Sequence, residues 1–183
     1  MRKAVVVIVL LVVVVGGAAL VVTGRPALAD ARDETEQAWE PLVPRLDARY
    51  SQLDVLLNQL ELLTATTGNE NPEVSQLSAA TRRWSKAVDG GSAVSQVEAA
   101  NDIEARVGRM RALVAGSARL GQAADLQAAF TAFDTQVPPA DEIAAYNESV
   151  RSYQRTREEA LHRPVAQLLG FGAIPTFELV AIG

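Results

Sequence analysis

The sequence predicts an all-α protein, namely an antiparallel helical bundle of about four helices behind one N-terminal transmembrane helix. Residues 4–22 contain no charged side chain. Later segments repeat apolar residues every three or four positions, as the buried face of an amphipathic helix requires. No segment of useful length alternates apolar and polar residues as a half-buried strand would. We therefore expect an anchor at residues 1–25, a linker or helix extension at 26–38 and a helical domain at 39–183.

The apolar stretch is long enough to cross a bilayer. A helix over residues 4–22 would be about 28 Å long at roughly 1.5 Å per residue, close to a hydrocarbon thickness of about 30 Å. Arg2 and Lys3 precede the stretch and Arg25 follows it. We therefore predict that membrane lipid contacts the protein through residues 4–22.

A cleaved signal peptide is the alternative interpretation of this stretch. Ala27-Leu28-Ala29 fits a small-x-small cleavage site before Asp30. However, the apolar region of a signal peptide usually runs about 7–15 residues, so retention is favoured. The basic residues before the stretch slightly favour an N-terminus inside the cell and a domain outside it.

The charge balance after the stretch excludes one class of partner. All 22 acidic residues but only 14 of the 17 basic residues follow Arg25, which gives this part a formal charge of −8. A nucleic-acid binder needs clustered positive charge, so we expect no nucleic-acid partner. The chain also has no cysteine, which excludes disulfides, thiolate nucleophiles and zinc–thiolate sites.

Two helices are predicted in the first half of the domain. The first begins near Pro44 and ends at Gly68, and its apolar stripe consists of Trp39, Val43, Leu46, Tyr50, Leu53, Leu57 and Leu60. The second has Asn71 as N-cap, Pro72 at the first helical position and Asp89-Gly90-Gly91 as its stop. Its apolar face consists of Val74, Leu77, Trp84 and Val88.

Two further helices are predicted in the second half. The third opens near Ser95 with a capping box to Glu98 and breaks between Gly116 and Gly121. The fourth begins near Asp141, after Val137-Pro138-Pro139, and Pro164 ends or kinks it. A short segment from Val165 to Leu169 then reaches Gly170 as a C-cap.

The tail after Gly170 is rich in apolar residues. Leaving them in water would be unfavourable, because burying apolar surface contributes about 25 cal/mol per Å². We therefore expect the tail to dock on the bundle or to bind a partner. Phe171 and Phe177 are the predicted anchors of a docked tail.

Ordered motifs run through residues 39–178. The C-terminal third contains Tyr146-Asn147-x-x-Val150-Arg151-x-Tyr153, then Pro164, Ala166, Leu169-Gly170-Phe171 and Pro175-x-Phe177-Glu178. Upstream stand Trp39, Leu42, Leu46 and Arg49, then Ser85-Lys86-Ala87, then Ala100-Asn101-Asp102-Ile103 with Val107, Arg109 and Met110. In this order and spacing, the motifs resemble the LemA family.

The resemblance implies a single-pass protein of the bacterial cell membrane that carries a helical bundle. Some family members work beside membrane proteases or in organising membranes, and no such role transfers by residue. The sequence departs from the family pattern at Asp54, where a proline is usual, and at Pro41, Pro44 and Pro138-Pro139. The third and fourth helices are therefore expected to be shorter or differently joined.

Several polar clusters could carry chemistry, but each has a simpler explanation. Glu159-x-x-His162 resembles half of a di-iron motif, which needs two copies, and the chain has one histidine. The acidic residues Asp33, Glu34, Glu36, Glu158 and Glu159 are typical of solvated helix faces, as are the basic residues Arg82, Arg83, Arg106, Arg109 and Arg111. Gly90-Gly91 lacks the strand and the Gly-Lys-Ser/Thr of a phosphate loop. We predict no catalytic, metal-binding or cofactor-binding residue and no cofactor.

The aromatic residues leave one alternative open. Trp39, Tyr50, Trp84, Tyr146 and Tyr153 lie on apolar stripes, where they form either a core or a ligand groove. The favoured function is a membrane-anchored, non-catalytic interaction or scaffold protein with an unknown membrane or envelope protein as partner. The alternative is an exported helical hydrolase or ligand-binding domain with an unrecognised site.

Overall fold

The computed structural model describes residues 24–65, 72–159 and 161–180, and the described chain is all-α. This confirms the predicted all-α class for these residues, but they form nine helices, several of them short, and not about four. We number the helices in chain order: α1 (24–39), α2 (Leu42–Ser51), α3 (Leu53–Ala65), α4 (Pro72–Gly90), α5 (Ala93–Ala115), α6 (Ala118–Gly121), α7 (Ala124–Thr135), α8 (Ala140–Glu158) and α9 (Arg163–Leu169).

None of the helices within the described residues combines the length and the apolar character that crossing a bilayer requires. The predicted anchor at residues 4–22 lies outside the described residues, as do the predicted stop at Gly68 and the predicted N-cap Asn71. Residues 24–39 are helical, so the chain after the apolar stretch is a helix and not an irregular linker.

The predicted first helix is interrupted at Gln52. Pro41 stands at the N-cap of α2 and Pro44 lies in its first turn, where a missing N–H costs no hydrogen bond. The Gln52 N–H bonds to Arg49 O at 3.2 Å, three residues back rather than four, which tightens the helix locally. Gln52 itself keeps helical backbone angles, and α3 follows at once.

Helices α4 and α5 form a hairpin through Gly91 and Ser92. Helix α5 begins at Ala93, near Ser95 as predicted, but the predicted capping box from Ser95 to Glu98 is wrong, because the N-cap is Ser92, which accepts a hydrogen bond from Ser95 N at 3.3 Å. Gly91 makes this short connection feasible. A Cβ atom at this position would lie 2.5 Å from Ser95 Oγ and 2.7 Å from Ala87 O, so only glycine fits.

The remaining helix ends follow the sequence signals. The predicted break between Gly116 and Gly121 contains the one-turn helix α6, which Ser117 caps. Helix α8 begins at Ala140, directly after Pro138-Pro139, as predicted. Gly170 ends α9 with a positive φ of 73°, a conformation that glycine adopts without strain.

The chain divides into two compact units. Within the described residues, the first unit consists of 24–37 and Asn147–Ile174, and the second of Ala38–Tyr146 and 175–180. The first contains a small apolar cluster of Leu28, Val165 and Ala166, against which Phe171 packs. The second holds the larger core, where apolar residues from α2–α5 and α7 are buried.

Candidate functional site

The C-terminal tail in the second unit is held by an aromatic cluster. Phe177 is only 1% exposed, and its ring meets the Trp39 ring edge to face, with centroids 5.7 Å apart. The Tyr146 ring lies 4.9 Å from the same indole. The Tyr146 hydroxyl donates a hydrogen bond to Pro175 O at 2.8 Å. These aromatic side chains therefore form part of a core that includes the tail.

Asn101 of α5 binds the tail backbone on both sides of Phe177. Its Nδ2 donates to Thr176 O at 2.8 Å, and its Oδ1 accepts from Glu178 N at 3.0 Å. One amide thus satisfies a backbone acceptor and a backbone donor of an extended segment that has no strand partner in the described chain. Buried or half-buried backbone groups need such partners.

In the first unit, three side chains of α8 hold the preceding part of the tail. The Tyr153 hydroxyl donates to Gly172 O at 2.7 Å. Gln154 Nε2 donates to Ile174 O at 3.0 Å, and Arg157 Nε donates to Phe171 O at 3.0 Å. Burial raises the pKa of Tyr153, while the nearby Arg157 and Arg32 act to lower it. The hydroxyl therefore stays protonated and remains a donor at neutral pH.

These contacts confirm that the tail is docked. Phe177 and Ile174 are buried, whereas Phe171 is half-buried against the apolar cluster of the first unit. Three residues that carry the family resemblance, Asn101, Tyr146 and Tyr153, bind tail carbonyls with their polar groups. The sequence predicted that Tyr146 and Tyr153 lie on apolar stripes, but it did not predict these hydrogen bonds.

A buried ion pair joins α2 to α5 in the second unit. Arg49 Nε lies 2.9 Å from Glu104 Oε1, and Nη2 lies 3.3 Å from Oε2. Both residues are 1% exposed. Arg49 Nη1 also donates to Phe133 O at 2.8 Å, and the guanidinium lies 3.6 Å from the Phe133 ring centroid. The pair is thus neutralised and sealed from solvent, which suits a structural role better than a catalytic one.

The buried ion pair affects the pKa of the neighbouring Tyr50. Its pKa is raised well above the ordinary value by burial and by the Glu104 carboxylate, while Arg49 acts in the opposite sense. Its ring meets Trp84 edge to face at 5.1 Å. The sequence reasoning missed Glu104. Its position in the sequence could have indicated that Glu104 is buried. The residues that share the spacing of one helix face with it are Ala100, Ile103 and Val107.

Of the five basic residues Arg82, Arg83, Arg106, Arg109 and Arg111, four are paired with acids, whereas Arg82 donates to Ser78 Oγ at 3.0 Å. The pairs are Arg83 and Arg106 with Asp102, Arg109 with Glu73, and Arg111 with Asp134. Partial burial of Asp102 acts to raise its pKa, but the hydrogen bonds from Arg106 and Arg83 outweigh it and lower the pKa. The described face of α4 and α5 is therefore an alternating set of charges and not a cationic surface.

An open cleft of about 830 Å³ lies where α4 and α5 meet their connecting turn. Its lining includes Arg83, Lys86, Asp89, Glu98 and Asp102. Lys86 and Glu98 are exposed. The cleft therefore presents both signs of charge to solvent, with the Asp102 carboxylate held ionised.

His162 is brought beside Glu159, as the Glu-x-x-His spacing requires. Its Nδ1 lies 3.1 Å from Glu159 Oε2 and 3.1 Å from Thr156 O. Among the residues that the structure describes, no three side chains of the metal-binding types converge. Asp33, Glu34 and Glu158 are exposed, and Glu36 pairs with Arg32 at 3.0 Å on the same helix. Gly90 ends α4 and Gly91 begins the turn to α5, and both line the cleft.

Comparison with protein-family models, with curated proteins and with solved structures finds no match to this chain. The resemblance to the LemA family therefore rests on the sequence motifs alone and stays a prediction.

Proposed function

We propose that this chain is a membrane-anchored, non-catalytic interaction or scaffold protein of the LemA type. In this proposal residues 4–22 form one transmembrane helix in a bacterial cell membrane. The described helices belong to a helical domain on the outer side of that membrane. An unknown membrane or envelope protein is the partner.

The packing of α1 within the first unit is the observation that supports a retained anchor. Leu28 is fully buried and clusters with Val165 and Ala166. A Cβ atom at Gly24 would lie 3.2 Å from Val165 Cγ2 and 3.3 Å from His162 Cδ2. Cleavage after Ala29 would remove both Gly24 and Leu28 from this packing. A retained N-terminus is thus consistent with how the unit is built.

The α4–α5 cleft supports a binding role. Its lining includes exposed side chains of both signs, Lys86 and Glu98, which would pair with charges on a partner protein. A general acid needs a pKa raised toward the working pH, whereas the pKa of Asp102 is lowered. This direction favours an ionised carboxylate that pairs with Arg83 and Arg106 over one that transfers a proton.

The LemA assignment is supported by the roles of its motif residues. In this chain Asn101, Tyr146 and Tyr153 hold the C-terminal tail against helices. A motif whose polar atoms bind the chain's own backbone is typical of a structural domain. The function of such a domain then resides in its outer surface.

Complementation of a deletion strain tests the proposal. One variant keeps residues 24–183 but replaces residues 1–23 with a cleavable export signal, so that Gly24 and Leu28 remain while the anchor is lost. A second combines Lys86→Glu with Glu98→Lys in the cleft, and Arg45→Glu, exposed on α2, is its matched control. We expect the first two to fail and the control to complement.

The enzyme alternative makes the opposite prediction. An anchor-less domain that complements, together with failure of Glu158→Gln, Glu159→Gln or His162→Ala, would replace the scaffold proposal with a soluble enzyme. Topology has its own test. Protease added to intact spheroplasts should digest the domain, and protection that is lost only on lysis would place it inside the cell.

A further inference from the structure

Helix α9 exposes a strip of large apolar side chains. Leu161, at the turn before the helix, is 66% exposed, and Leu168 is 73% exposed. Within the helix, the exposed Pro164 and Leu168 are four residues apart and therefore share one face, and Leu161 precedes them in the turn. Leu169 at the end of the helix is 41% exposed. Contact between such a strip and water is unfavourable, so we expect another apolar surface to cover it.

The opposite side of α9 faces α1 within the same unit. Val165 and Ala166 are buried against Leu28. A Cβ atom at Gly24 would make tight contacts with Val165 and His162, at 3.2 and 3.3 Å. Helix α9 therefore lies directly beside the first described turn of α1.

This position fixes α9 relative to the apolar stretch of the sequence. The stretch ends at Val22, and a continuous helix would put Gly24 only about 3 Å beyond it along the axis. If residues 4–22 span the hydrocarbon core, α9 lies at the level of the lipid headgroups on the side of the domain.

We propose that the Leu161–Leu168 strip of α9 lies in the headgroup–acyl boundary of the membrane that the anchor crosses. This inference rests on the proposed anchor. It adds a second lipid contact made by the folded domain itself. Arg163 and Gln167, both exposed, flank the strip. This amphipathic arrangement is the one by which interfacial helices bury apolar side chains and keep polar groups at the headgroups.

Lipid fits the strip better than a second protein surface does. A stable protein interface buries about 800 Å² on each partner, and three leucines and a proline on a seven-residue helix and the turn before it fall well short of that area. A membrane already beside the helix needs no further area, because the anchor supplies the attachment. The lipid contact then orients the first unit at the membrane.

Site-specific fluorescence in vesicles tests the proposal with the full-length chain. The absence of cysteine allows single substitutions Leu161→Cys and Leu168→Cys to be labelled with an environment-sensitive nitrobenzoxadiazole dye. Glu148→Cys on α8 is the control, since its side chain is 58% exposed. The proteins are reconstituted into phosphatidylcholine–phosphatidylglycerol vesicles, with and without lipids that carry a nitroxide quencher on the acyl chain.

We expect both α9 labels to show blue-shifted emission and at least about twofold stronger lipid quenching than the α8 control, as for a helix inserted about 5–10 Å into the interface. Flotation of the unlabelled protein with vesicles tests the anchor separately. Failure to float would overturn the anchor and the proposed function. A protein that floats but leaves all three labels equally quenched would overturn the α9 contact alone. Blue-shifted labels that escape lipid quenching and respond to dilution of the protein in lipid would assign the strip to a second copy.

Discussion

Trp39 and Phe177 meet edge to face although they lie near opposite ends of the helical domain's sequence, with ring centroids 5.7 Å apart and both side chains buried. The contact closes the second unit by joining its first residues to the C-terminal tail. It also depends on Asn101, which holds the backbone on either side of Phe177. Stability of the unit should therefore be sensitive to the tail.

Phe177→Ala should destabilise the protein by about 3–5 kcal/mol, the usual cost of truncating a buried phenylalanine. Phe171→Ala should cost clearly less, because Phe171 is only half-buried. Denaturant unfolding of the detergent-solubilised full-length protein, followed by tryptophan fluorescence, measures both. Small and equal losses of unfolding free energy in the two variants would mean that the tail detaches in solution.

The Arg49–Glu104 pair should behave as a coupled unit. Removing one partner by Arg49→Met or Glu104→Leu leaves a buried charge without its counter-ion, which typically costs about 3–5 kcal/mol. The double variant removes both charges and should recover most of that loss. A double-mutant cycle in the same unfolding assay measures the coupling. Additive losses would show that the two side chains act independently.

The helical periodicity of the sequence was sufficient to predict most of the fold. Leu46, Tyr50, Leu53 and Leu60 are buried as their stripe required, because an amphipathic helix has only one face to bury. Pro138-Pro139 and Gly170 marked helix ends correctly, since both residue types restrict or extend backbone conformations locally. Proline and glycine act on the local backbone, so the helix ends that they mark can be predicted from the sequence alone.

The polar contacts of the site were not predictable in the same way. Asn101 reads as a solvated helix residue, and its role depends on a tail segment that is distant in sequence. Glu104 sits on an apolar stripe, but only the position of Arg49 on another helix explains its burial. Ser92 and not Ser95 caps α5, beside Gly91, where a Cβ atom would lie 2.7 Å from Ala87 O of α4. Each of these choices is made by packing between helices.

The Asp102 ion pairs should make stability depend on pH at the acidic end. Its pKa is lowered from the ordinary value of 3.8, so the folded protein favours the ionised form. The contribution is present above that value and is lost as pH falls through the lowered pKa of the folded state. Because the pairs are partly exposed, Asp102→Asn should cost only about 0.5–1 kcal/mol at pH 7.

Unfolding curves of wild type and Asp102→Asn between neutral pH and pH 2 measure this difference. The difference in unfolding free energy between wild type and Asp102→Asn should disappear as the wild-type carboxyl becomes protonated. Glu98→Gln is the matched control, because Glu98 is an exposed acid on the same helix. A difference that persists unchanged at pH 2 would assign the effect to packing and not to charge.

The three tyrosines should resist ionisation in the folded protein. Burial raises the pKa of Tyr50, Tyr146 and Tyr153 above the ordinary value of 10.0. The neutral phenol is therefore favoured by folding. This stability is fully present below pH 10 and is lost as pH rises through the raised pKa values. Absorbance at 295 nm should consequently stay low at pH 10 to 11 and rise together with loss of helical circular dichroism.

Tyr153 should ionise before the other two, because Arg157 and Arg32 partly offset the effect of its burial. Tyr153→Phe should remove the earliest part of the absorbance change. Loss of its hydrogen bond to Gly172 O should lower stability by about 0.5–1.5 kcal/mol. Tyr146→Phe, which loses the bond to Pro175 O, is the matched comparison and should affect only the later part. Titration of Tyr146 and Tyr153 near pH 10 while the helical signal is intact would mean that the tail leaves these two hydroxyls accessible to water.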